Sequence, residues 1–93
     1  MIHKIKVDSE MFAKIKDKRR MIEVRSTADR KYRIGDTVHY CEVNEYGEPT
    51  GKEIRKGVYF VLEEAEGLKE GYAILALLMK QGRTYVRLSE KDI

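Results

Sequence analysis

The amino-acid sequence predicts a small domain of the α+β class, mainly β, in which about six short strands curl into a barrel beside one or two helices. Three observations predict it. Short runs such as 2–7, 21–25 and 37–43 alternate apolar with polar residues, the period of a half-buried strand. Turn-forming residues separate the later runs, most clearly Asn44, Gly47, Pro49 and Gly51. Only Met11, Phe12 and Ile15 stand at the i, i+3, i+4 spacing of a helix. Strands joined mostly by hairpins avoid open edges most simply by closing on themselves.

With 93 residues the chain is expected to form one domain over 1–93, and 42% hydrophobic residues are enough for a core despite 38% charged ones. The single cysteine, Cys41, excludes an internal disulfide. The apolar run at residues 72–79 is too short to span a bilayer. No secretory leader is recognisable, so the expectation is a soluble cytoplasmic protein without a membrane partner.

Element by element, "IHKIKV" reads as the first strand. Asp8 or Ser9 suits a helix N-cap, and Glu10 in the first turn complements the helix dipole. Lys14, Lys16 and Lys18 fall largely outside the apolar stripe, near the helix end that favours cations. "MIEVR" (21–25) alternates again, with Ile22 and Val24 on one face and Met21, Glu23 and Arg25 on the other. An irregular connection then reaches the turn at Gly35-Asp36. "TVHYCEV" (37–43) and "KEIRKGVYFVLEE" (52–64) form the arms of a hairpin over the loop 44–51. Ile54, Val58, Phe60 and Leu62 are expected on one side, with a bulge near Gly57. Residues 63–71 read as a loop or a single helical turn. Residues 72–79, flanked by Gly71 and Gly82, read as a central strand, and 84–88 as a last one.

Charge is uneven. The net is +3, but residues 1–33 carry 11 Lys and Arg against 5 Asp and Glu. The excess fits an anionic partner, most simply nucleic-acid phosphate, and equally a solvated face that keeps the protein soluble.

Three segments carry a family likeness: "IHKIKV" with "MFAKI", "KRRMIEVR" with "DRKYRIGDTV", and "TGKEIRKGVYFVLEEAEGLKEGYAILAL". In these, over roughly residues 2–77, the chain resembles ASCH domains of the PUA-like superfamily, in particular a short ASCH-related group from bacteria and their phages. The resemblance implies a PUA-like barrel and binding of RNA, another nucleic acid or a modified nucleotide in a cleft between the first helix and the sheet. The ASCH signature falls on Lys18, Arg20, Glu23 and Arg25. Glu23 and Arg25 match, Arg20 keeps the charge, and Lys18 replaces a glycine.

Two readings of Glu23 and Arg25 stand side by side: an ordinary surface ion pair, or a cleft pair that holds phosphate and a base edge. In the second, Lys18, Arg20, Arg30 and Arg33 add backbone contacts; Tyr32 either stacks on a base or packs in the core before Gly35-Asp36, and His3 either lines the cleft or caps a strand. The alternative function is hydrolysis of a modified nucleoside or of RNA. Amidohydrolases resembling this fold use lysine and threonine where this chain has Arg20 and Glu23, and arginine is a poor general base, so no catalytic residue is assigned. His39 and Cys41 share a strand face, with His3 a distant third. That spacing is weak for zinc, and neither metal nor other cofactor is expected.

Overall fold

A computed structural model describes residues 1–79. Strand β1 (Ile2–Val7) leads into helix α1 (Ser9–Lys16), followed by β2 (Arg20–Ser26), β3 (Thr37–Val43), β4 (Pro49–Leu62) and β5 (Tyr72–Met79). Asp8 is the N-cap: its carboxylate accepts the Met11 N–H at 2.8 Å. Phe12 and Ile15 form the buried line of the helix. Met11, about 70° round from the middle of that line, is 45% exposed, so the stripe is narrower than its spacing predicts.

The strands form one mixed sheet in the order β1-β3-β4-β5-β2. β1 runs parallel to β3, and the other neighbours pair antiparallel. The expected barrel is corrected: among the described residues the sheet is open, with β1 and β2 at its two edges. The two edge strands do not pair with each other, and α1 carries the chain from one edge to the other. The expected strand at 84–88 lies outside the described residues. Residues 63–71 form turns, with Leu68 N–H bonded to the Ala65 carbonyl.

One face of the sheet, together with α1 and the connection before β3, encloses the core. Ile15, Tyr32, Val38, Tyr40, Val58, Ala73, Leu75 and Leu77 are buried there. β5 is flanked on both sides, as a central strand should be. In the β3–β4 hairpin, Asn44 accepts the Tyr46 and Glu48 N–H groups through its side chain, and Gly47 adopts a positive φ of 80°. The loop is shorter than expected because Pro49 to Gly51 already belong to β4.

The bulge in β4 is not at Gly57, which pairs normally with Thr37 and Leu78. The β4–β5 register shifts between Val58 and Phe60, so Tyr59 is the additional residue. One additional residue inverts the alternation beyond it. Val58 and Val61 therefore face the core, while Phe60, expected beside Val58, is 48% exposed on the opposite face.

Candidate functional site

Alternation in β2 turns Met21, Glu23 and Arg25 inward and leaves Ile22 and Val24 66% and 55% exposed. The polar side of this edge strand thus faces the core. Across from it, Tyr40 on β3 donates its hydroxyl hydrogen bond to the Glu23 carboxylate. Burial pushes the Tyr40 phenol well above its ordinary range, and the Glu23 charge adds to the rise. Arg25 Nε lies 3.7 Å from the second Glu23 oxygen, an ion-pair distance too long for a hydrogen bond. That Nε is buried and has no hydrogen-bond partner.

Lys56, on the core side of β4, is fully buried. Its ammonium donates to the Ile15 carbonyl at 2.7 Å and the Lys18 carbonyl at 2.5 Å, closing the end of α1 and the turn after it. Desolvation, helped by the Lys18 charge and opposed by Glu23, lowers its pKa to about 8. The turn at Lys18 is therefore tied down by another lysine from beneath.

At the start of β3, Asp36 accepts from His3 Nε2 at 2.8 Å, from the Arg33 N–H at 3.0 Å and from the amino group of Met1 at 3.1 Å. Burial would raise its pKa, but these donors outweigh it and hold the carboxyl at about 2. The Tyr32 ring packs 4.5 Å from the His3 ring, and both residues are buried. Tyr32 thus takes the core-packing alternative, and His3 is held between the Tyr32 ring and Asp36.

The remaining sequence-predicted cations, Lys18, Arg20, Arg30 and Arg33, fall into two groups, each joined by a neighbouring cation. Lys18, Arg19 and Arg20 are exposed where the chain enters β2. Arg20 lies on the face of Ile22 and Val24, opposite Glu23 and Arg25, because its parity in the strand differs from theirs. Arg30, Lys31 and Arg33 line a cavity of about 580 Å³ together with Met1, Asp29 and Asp36. The Arg30 guanidinium also reaches the Lys4 carbonyl at 3.4 Å. The residues expected in one cleft are thus divided among an inner polar cluster, a basic turn and a basic cavity.

A further cluster involves Glu53, which the sequence did not bring to notice. His39 and Cys41, two apart on β3, share the outer face of the sheet, and Cys41 pairs in register with Glu53 of β4. His39 Nε2 and Glu53 Oε1 are 2.7 Å apart. The His39, Cys41 and Glu53 ligand atoms all lie within 4.8 Å of one another. His3, the third partner considered from sequence, points elsewhere and is engaged by Asp36. The missing signal was hairpin register, which depends on the loop 44–48 and on the bulge between Cys41 and Val43.

No helix of the described residues is long and apolar enough to cross a membrane. A family model described as "Domain of unknown function (DUF3850)" matches residues 2–77. No curated protein matches the chain.

Proposed function

The chain belongs to the DUF3850 family, and we propose that it binds RNA, or a nucleotide derived from it, through its basic N-terminal third. The observation that carries this reading is the cavity lined by Arg30, Lys31 and Arg33. Two acids also line it, but Asp36 is already engaged by three donors, which leaves Asp29 alone against three cations. Phosphate in that cavity would meet a positive field.

Lys18, Arg19 and Arg20 extend the basic surface. The row of paired residues Arg20–Leu78–Gly57–Thr37–Ile2 runs across the whole sheet. The basic turn and the N-terminal cavity thus lie toward opposite edges of the sheet, four strand spacings apart, roughly 19 Å measured along its surface. A ligand touching both is a chain of several nucleotides; a single nucleotide fits one of them. Arg25, whose side chain beside Glu23 is 28% exposed, is the donor we assign to the ligand's polar edge. Kinship with ASCH domains, read from Glu23 and Arg25, is part of the same proposal.

The hydrolase alternative draws less support. Glu23 holds the Tyr40 hydroxyl and Lys56 is sealed against two carbonyls, so neither offers a free base to solvent. The test is fluorescence anisotropy with a labelled single-stranded RNA pool at moderate salt, beside chromatography of acylated nucleosides incubated with the protein. Saturable RNA binding that weakens in Arg30→Ala/Arg33→Ala supports the proposal. Absence of RNA binding, or nucleoside turnover lost in Glu23→Gln, overturns it.

A further inference from the structure

We infer that His39, Cys41 and Glu53 form a binding site for a divalent, borderline-soft metal ion, zinc foremost, with one coordination position left open to an exogenous ligand. It lies on the outer face of the sheet, away from the inner polar cluster, and does not depend on the RNA reading.

Donor types come first. Imidazole, thiolate and carboxylate are the three side chains that bind zinc, and three protein ligands with a vacant fourth position are the pattern of reactive rather than purely structural zinc. Their placement follows from the hairpin. His39 and Cys41 are neighbours on one face because they are two apart on β3, and Glu53 stands directly across from Cys41 on β4. All three ligand atoms are within 4.8 Å of one another. Tetrahedral zinc at ordinary bond lengths needs ligand atoms separated by roughly 3.3–3.7 Å. The required adjustments are of about 1 Å, and Glu53, whose side chain is 51% exposed, has room to make its share of them. His39 and Cys41 are both buried, which holds their positions and keeps competing water from the strand side.

The charges around the cluster define the fourth ligand. Thiolate and carboxylate together neutralise a dication. Register places Lys4 and Arg55 beside His39, and Lys6 beside Cys41, on the same face. These three cations disfavour a second bare cation and favour an anion on the metal: hydroxide, phosphate or a carboxylate. On binding, the ion replaces the hydrogen bond between His39 and Glu53: the imidazole ligates through Nε2 as its Nδ1–H tautomer, Glu53 ligates as the carboxylate, and the Cys41 thiol proton and any further proton of the His39–Glu53 pair are released to solvent.

The test is titration of the metal-free protein with Zn²⁺ by calorimetry, and with Co²⁺ by absorption spectroscopy. One ion per chain is expected, with a thiolate-to-cobalt charge-transfer band. Cys41→Ser, nearly the same size as the native residue, abolishes that band. Glu53→Gln, at an exposed position that leaves the fold intact, weakens Zn²⁺ binding by at least about tenfold. Circular dichroism of both variants shows that they are folded. Failure of the wild-type protein to bind either ion stoichiometrically, a missing charge-transfer band, or undiminished binding by folded Cys41→Ser and Glu53→Gln overturns the assignment. Loss of RNA binding alone leaves all of these readouts unchanged.

Discussion

The Tyr40 hydroxyl hydrogen-bonds to the Glu23 carboxylate although their strands, β3 and β2, are separated in the sheet by β4 and β5. In a flat sheet three strand spacings amount to roughly 14 Å, and side chains standing normal to it would not meet. The sheet is therefore strongly curled, and its concave side brings an edge strand over a central one. Among the described residues the curl stops short of the barrel expected from the sequence, because β1 and β2 do not pair.

Removing the donor should show what the bridge contributes. Tyr40→Phe leaves a half-buried carboxylate oxygen without its partner and is expected to destabilise the fold by about 1–3 kcal/mol, measured by urea unfolding. Glu23→Gln retains an acceptor and should cost less. A double-mutant cycle giving additive effects would show that the two groups do not interact in solution.

Ile22 and Leu75 are both aliphatic and β-strand residues, but the account separates them sharply. Ile22 is 66% exposed and Leu75 fully buried. Ile22→Thr should change stability by no more than about 0.5 kcal/mol, whereas Leu75→Ala should cost about 2–5 kcal/mol. Equal losses in thermal unfolding would mean that β2 presents its other face to the core.

That contrast shows what the residues alone disclosed. Alternation in 21–25 was legible, and with it the placement of Glu23 and Arg25 on one face. Which face turns inward was not, because it depends on β2 docking against β5, far away in sequence. The same parity argument could have separated Arg20 from Glu23, since three residues apart on a strand means opposite faces. Tyr59 hid its role as the bulge because the pattern "KGVYFVL" alternates plausibly through Gly57 as well. Glu53 could not be linked to Cys41 until the hairpin register was known. By contrast, an N-cap at Asp8 or Ser9, a turn within 44–51 and the flanked apolar strand 72–79 follow from local chemistry; the structure has the cap at Asp8, the turn confined to 44–48 and the strand as expected.

Lys56 predicts a pH dependence. Its folded pKa, about 8, lies below the ordinary 10.5. Between these values the unfolded chain holds the proton and the folded chain has released it, so stability rises with pH across the window. Stability measured from pH 8 to 10 should climb in the wild type and lose that component in Lys56→Met. Identical slopes in the two proteins would remove the buried amine from the account.

Asp36 acts at the other end of the scale. Its carboxyl is held at about 2 against an ordinary 3.8. The folded state therefore gains stability that is fully present above pH 3.8 and is lost as pH falls from there toward 2. The loss is on the order of 2 kcal/mol. Asp36→Asn should be less stable at pH 7 and show a shallower acid limb in unfolding followed by tyrosine fluorescence.

The central claim, a polyanion held by the basic N-terminal third, is tested most directly by the salt dependence of RNA binding. For single-stranded RNA, log K should fall with log salt by about 0.7 for each phosphate neutralised. Arg30→Ala/Arg33→Ala should lower the affinity and flatten that slope by roughly 1.4. A wild-type affinity indifferent to salt, or a slope unchanged in the double variant, would contradict the account.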